Sequence, residues 1–143
     1  YQRGFYFTNW MVENLLKVFN QEFSDQQFHW IIPLPLHWRR LLARGYNQAL
    51  ILAKLLSKKL KIPLRVDVLE KTKNTLPQTG LSSAQRKENL KKSFRVRKPN
   101  LVEGRNILLV DDVITSGATA NEASKTLKQA GAGRVCILAL ART

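Results

Sequence analysis

The alternation of apolar and polar positions predicts short strands interleaved with amphipathic helices. Val12, Leu15, Leu16, Phe19 and Phe23 share one face of a helix expected from about Asn9 to Phe23. Trp30 to Leu34, cut by Pro33 and Pro35, reads as a strand feeding a loop. Ala49, Leu52, Ala53, Leu56 and Leu60 mark the buried face of a second helix, about Tyr46 to Lys61, with Lys54, Lys58 and Lys61 opposite. Leu64 to Leu69 alternates as a strand would. Glu70 to Ser83, with Pro77 and Gly80 among polar side chains, reads as a long loop. Ser82 and Gln85 then form a capping-box signal for a short helix to about Lys92, followed by a brief strand at Phe94 to Arg97. The clearest buried strand is Ile107 to Val110, running into Asp111 and Asp112. Ala120, Ala123, Leu127 and Ala130 trace a helical face that Gly131 ends, and Val135 to Ala141 reads as a strand covered on both faces.

This order predicts an α/β fold, doubly wound around a mostly parallel sheet. No Gly/Ser linker, repeat or low-complexity stretch divides residues 1–143, so a single domain is expected. Ligands of such sheets bind beyond the carboxyl ends of the strands, which directs attention to whatever follows Leu34, Leu69 and Val110.

After Val110 the chain carries unusual chemistry. Leu108 to Ala120 reads LLVDDVITSGATA: a buried strand, two adjacent carboxylates, then small hydroxylated residues and Gly117 opening a helix. The backbone N–H groups of Thr115, Ser116, Gly117, Ala118 and Thr119 can converge on one point, and a helix N-terminus adds its positive end. That is a site for a phosphate monoester, with the Asp111 and Asp112 carboxylates placed to accept hydrogen bonds from sugar hydroxyls. The competing account is ordinary helix-capping chemistry.

Charge widens the picture. Twenty-four Lys and Arg oppose ten Asp and Glu, a net charge of +14 that implies a polyanionic partner. The run Arg86 to Lys98 concentrates seven cations (Arg86, Lys87, Lys91, Lys92, Arg95, Arg97 and Lys98) around Phe94, with Glu88 the one acid. It reads either as a surface for single-stranded DNA or as a solvated face. Phe5, Tyr6, Phe7 and Trp10 are further stacking candidates, with helix packing as their alternative role. A 44% hydrophobic content excludes global disorder. No apolar run approaches the ~20 residues of a membrane-spanning helix. The lone cysteine, Cys136, can form neither an internal disulfide nor a zinc cluster; it reads as a core thiol and makes a cytoplasmic location the default expectation. The chain opens at Tyr1 with no signal-peptide pattern, which reads as a fragment of a longer protein.

VDDVITSGAT resembles the ribose-5-phosphate signature of the type I phosphoribosyltransferases, whose ligand is phosphoribosyl pyrophosphate (PRPP) with Mg²⁺. Two further segments, PLPLHWRRLLARGYNQA from Pro33 and QTGLSSAQRKENLKKSF from Gln78, are similar to the ComF family of DNA-uptake competence proteins. The resemblance runs from about Trp30 to the C-terminus. It implies that Asp111 and Asp112 meet the ribose hydroxyls and that Thr115 to Thr119 hold the 5′-phosphate. It further implies a pyrophosphate loop at Leu36, His37 and Trp38 with Arg40 and Arg44 facing it, although Arg39, Arg40 and Arg44 also fit a solvated helix edge. A flexible hood loop would carry Gln78 and Thr79. Mg²⁺ would arrive with PRPP, with no direct protein ligand. Trp38 stands where the family pattern expects proline, and Thr115 where relatives acting on 6-oxopurines place an acid. The four-cysteine zinc module with which such proteins begin is absent from this sequence.

The function so implied is a PRPP- and Mg²⁺-binding domain that handles single-stranded DNA during natural transformation. Other competence proteins at the inner membrane are candidate partners, with the location cytoplasmic or peripheral to that membrane. The alternative is a catalytic phosphoribosyltransferase acting on a nucleobase or small amine.

Overall fold

The computed structural model describes residues 2–75 and 80–142. Its core is a parallel sheet of three strands, β1 (Trp30–Pro33), β4 (Ile107–Ile114) and β5 (Val135–Arg142), in the order β1-β4-β5. Ile31 lies opposite Leu108 on one side, and Leu108 opposite Cys136 on the other. Helices cover both faces, as the apolar run of β4 requires. Leu108 and Val110 turn toward α1 (Gln2–Glu22) and α3 (Gln48–Leu60), where Val12, Leu15, Leu52 and Leu56 are fully buried. Ile107 and Leu109 turn toward Ala123 and Leu127 of α5 (Ala118–Gln129). The expected doubly wound, parallel α/β architecture is the one found.

A two-stranded antiparallel ribbon, β2 (Leu69–Lys71) with β3 (Phe94–Val96), sits above the second face, and α4 (Ser83–Leu90) lies between its strands in sequence. Leu69 and Phe94 anchor the ribbon in the same core as Leu109. The capping box on α4 is complete. The Gln85 N–H donates to Ser82 Oγ at 3.2 Å, and the Ser82 N–H donates to Gln85 Oε1 at 2.9 Å.

Several boundaries depart from the hydrophobic pattern. Helix α1 begins at Gln2 rather than Asn9, because its first turns carry no buried residue and so left no periodicity to read. Phe5, Tyr6, Phe7 and Trp10 are all exposed there, so they do not pack the core. The alternation at Leu64 to Leu69 is not a strand. Leu64 makes a single parallel bridge to Ile31, Val66 is exposed, and the chain then swings into β2. The loop expected from Glu70 therefore begins inside that strand. Strand β4 continues through Asp111 and Asp112 to Ile114, paired with β5 as far as Arg142, so both acids sit within the strand's carboxyl-terminal half. Strand β5 is covered on both faces as expected, Cys136, Leu138 and Leu140 packing on the α1 side and Val135 and Ile137 on the α5 side; Val135, Cys136 and Ile137 stay half-buried because β5 lies at the sheet edge.

Asn106 ties the amino ends of the three strands together. Its carbonyl accepts from the His29 N–H at 2.8 Å, its Oδ1 from the Arg134 N–H at 3.0 Å, and its Nδ2 donates to the Gln27 carbonyl at 3.1 Å. Gly133 passes so close that an added Cβ would lie 2.7 Å from Asn106 Oδ1. Gly133→Ala is therefore expected to cost about 1–3 kcal/mol of stability. The cost should fall in an Asn106→Ala background, where the clash is gone. A double-mutant cycle by urea denaturation checks this, and strictly additive costs would contradict it.

Candidate functional site

At the carboxyl end of the sheet, the segments after β1 and β4 open a cleft of about 370 Å³. The chain leaves β1 through Leu34, Pro35 and Leu36, and all three line one wall. It then forms α2 (Trp38–Arg44), a helix absent from the hydrophobic pattern because none of its residues is buried. His37 starts that helix: its Nδ1 accepts from the Arg39 N–H at 3.3 Å. Gly45 ends it at φ 83°, donating to the Leu41 carbonyl at 2.8 Å. This turn needs a left-handed residue, which glycine adopts without a Cβ penalty.

The short helix sorts the candidates. Arg40 and Arg44 line the cleft together with Leu36, while His37 and Trp38 do not. His37 is buried as a helix cap. Trp38 is 58% exposed, with the Arg39 guanidinium 5.3 Å from its ring centre. Arg44 lies against Tyr46 in the same way at 5.3 Å. Asn47 then caps α3, its Oδ1 accepting from the Ala49 N–H at 3.1 Å while its Nδ2 donates to the Leu34 carbonyl at 3.2 Å. That pair of bonds fixes the first helical turn of α3 to the end of β1 and makes Asn47 part of the cleft wall.

The opposite wall comes from β4 and the start of α5. Asp111, Asp112, Thr115 and Thr119 line the cleft. A second cavity of about 80 Å³ is enclosed by the loop itself and shares Asp111, Thr115 and Thr119 with the larger one. Gly117 caps α5 at φ 80°. A Cβ there would stand 3.8 Å from its nearest neighbours, Asn121 Nδ2 and Ile114 Cγ2. The glycine is thus demanded by backbone conformation rather than by crowding from the protein. The Ser116 side chain is turned inward along the chain, its Oγ accepting from the Ala118 N–H at 3.3 Å.

Lys71 closes the cleft from the ribbon side, and the hydrophobic pattern missed it. Only 8% of it is exposed, and its Nζ lies 5.8 Å from the Phe94 ring centre. Period-two alternation was the available signal: in β2, Leu69 and Lys71 are buried on one face and Glu70 on the other is not. Thr75, buried beside it, presents its carbonyl to Arg40 Nη2 at 3.0 Å. The hood candidates Gln78 and Thr79 lie outside the described residues.

Burial and proximity set the charges. Burial, then a hydrogen bond to the Asp112 side chain and that residue's negative charge, push the Asp111 carboxyl up to about 7. The Asp112 N–H, donating to Asp111 Oδ1 at 2.8 Å, and the Lys71 charge oppose the shift. Burial and the Arg40 charge lower Lys71 to about 8, against the pull of Asp111. The cleft therefore offers cations (Arg40, Arg44, Lys71) on two sides and hydrogen-bonding carboxyls on the third. Among the described residues no three His, Cys, Asp or Glu side chains cluster as metal ligands. Two adjacent carboxyls suit a divalent ion that arrives already held by ligand oxygens.

The basic run is dispersed. Arg86 and Lys87 lie on α4, Lys91 and Lys92 in the turn after it, and Arg95 and Arg97 in or beside β3. Arg95 pairs with Glu70 at 2.7 Å and Lys98 with Asp67 at 2.6 Å. Arg86 and Lys87 line one pocket together with Ser116, so this end of the run adjoins the loop before α5 in space.

Residues 46–143 match the phosphoribosyl transferase domain family. The chain belongs to that family. The chain is similar over 113 residues to competence protein F of Haemophilus influenzae, at 43% identity, covering 78% of this chain and 49% of the relative. It is similar at 39% identity to the DNA utilization protein YhgH of Escherichia coli K12, covering 79% of this chain and 49% of that one. The chain thus spans about half the length of these curated relatives. In fold it resembles a crystal structure of adenine phosphoribosyltransferase, with a TM-score of 0.63 at 16% identity, over 95% of this chain and 69% of that chain.

The shifted acid predicts a pH dependence of the phosphoribosyl transferase domain. Between about pH 4 and pH 7 the folded chain keeps a proton on Asp111 that the unfolded chain has lost, so stability falls as pH rises through that window. From about pH 8 to pH 10.5 the lowered Lys71 acts in the opposite sense, and stability rises with pH. Denaturant titrations of Asp111→Asn should show the fall between about pH 4 and pH 7 abolished; an undiminished fall would place its source elsewhere.

Proposed function

We propose that the cleft binds PRPP with Mg²⁺ and that the domain handles single-stranded DNA in natural transformation. One observation carries the first half: the loop cavity of about 80 Å³ adjoins the larger cleft, the two sharing Asp111, Thr115 and Thr119 in their walls. A 5′-phosphate in the loop would leave its sugar against Asp111 and Asp112, which accept hydrogen bonds from vicinal hydroxyls. The pyrophosphate end would reach Arg40, Arg44 and Lys71, whose fixed charges need no rearrangement to meet it. Mg²⁺, carried on the polyphosphate, would supply the remaining neutralisation. Ordering the sugar between these walls is the work of this chain's own residues.

The DNA half is supported by the net charge of +14 and by relatives named for competence and for DNA utilization. Phosphate contacts by Lys and Arg bind single strands with little regard to sequence.

Calorimetric titration with PRPP and Mg²⁺ tests the cleft. Gly117→Val places a β-branched residue at φ 80° and fills the space a phosphate would take. It should cost about 1–2 kcal/mol of stability, leave the chain folded, and reduce PRPP affinity by at least tenfold. Asp111→Asn with Asp112→Asn should weaken PRPP while inorganic sulfate still binds the loop. Unchanged PRPP affinity in both variants would remove the assignment. Pyrophosphate release with a panel of bases would instead mark a catalytic transferase.

A further inference from the structure

The pocket between α4 and α5, about 380 Å³, belongs to neither cavity described above, yet touches the phosphate loop at Ser116 and Ala118. Arg86 and Lys87 from α4 and Lys125 from α5 line it, with hydroxyls from Ser83 and Ser116. The one carboxylate in its wall, Glu122, already accepts the Lys92 N–H at 3.0 Å through Oε1. The Arg86 Nε is buried with no hydrogen-bond partner. Three cations facing one carboxylate that is already engaged leave the pocket wall with a net positive charge, which an anion would match.

We propose that this pocket is a second phosphate subsite, beside the loop, that takes a backbone phosphodiester of single-stranded DNA. It rests on the single-strand reading above and gives it a place. Size separates the two subsites: the loop cavity of about 80 Å³ suits a terminal phosphate, whereas about 380 Å³ admits a phosphate with its attached sugar. Access agrees, since Ser83, Lys87 and Lys125 are exposed and a continuing strand could enter and leave. Two further cations of the basic run, Arg95 and Lys98, are less free to serve, because they already hold Glu70 and Asp67.

Ala118 lines both the loop cavity and this pocket, so a phosphate in one subsite would lie one residue away from a phosphate in the other. Like charges at that separation repel, and PRPP and DNA should each weaken the other by the same factor.

The test is fluorescence anisotropy of the full chain with a labelled oligo-dT, with and without saturating PRPP and Mg²⁺. The wild type should bind the strand, and PRPP should weaken it several-fold. Lys87→Gln with Lys125→Gln alters two exposed side chains and should leave the melting temperature unchanged. This variant should bind the strand at least tenfold more weakly, flatten the salt slope by up to about 1.4 units, and lose the PRPP effect while still binding PRPP. Lys54→Gln with Lys58→Gln removes equal charge from α3 and should keep the PRPP effect. If the α4–α5 variant keeps wild-type affinity, slope and coupling, the subsite is overturned while the single-strand reading stands. If the wild type fails to bind oligo-dT, both fall. If only inorganic phosphate binding responds to Lys87 and Lys125, a free phosphate is the occupant and the diester assignment is overturned.

Discussion

The structure depends on four residues of β4 that water never reaches. Ile107, Leu108, Leu109 and Val110 are fully buried, alternately against α1 with α3 and against α5 with the ribbon. Burying such side chains contributes roughly 1.5–3 kcal/mol each, and their strand is the only one of the three with a strand on both sides. Everything chemical follows from where this strand is forced to stop being apolar. The next two residues are carboxylic acids, held in the same strand by pairing with β5, and the next turn begins a helix. The acids therefore have little freedom to move away from the cleft or from each other.

That rigidity has an electrostatic cost that the cleft uses. Asp111 is half-buried beside Asp112, and burial with that neighbour pushes its carboxyl up to about 7, so a cation or hydrogen-bond donor beside it would favour its ionised form. Burial first, and then the Arg40 charge, lower Lys71 on the other side to about 8.

How much of this was legible depends on where hydrophobic side chains point. Strand β4, helix α5 and the capping box of α4 were readable because their signals are local: a continuous apolar run, a helical stripe, a Ser and a Gln three apart. The acids and the phosphate loop stood out for the same reason. Helix α2 was invisible, since none of its residues is buried and His37, Gly45 and short-range hydrogen bonds define it instead. The first turns of α1 escaped for want of any core-facing residue. Lys71 required tertiary knowledge: the ribbon that buries it pairs residues about 25 positions apart, such as Glu70 with Arg95. The dispersal of the basic run was hidden likewise, because a linear cluster of charge says nothing about a helix, a turn and a strand pointing it in different directions.

The bond from Arg40 Nη2 to the Thr75 carbonyl joins residues 35 positions apart and spans the mouth of the cleft. A guanidinium carries five N–H donors in a rigid plane, so it can keep that carbonyl on one edge and still present others to an anion. An ammonium at the same position would gather its donors around a single flexible atom and give up the fixed fork geometry. Position 40 therefore asks for shape as well as charge. The cleft would read an Arg-to-Lys exchange there, neutral in formal charge, as the loss of one of its walls.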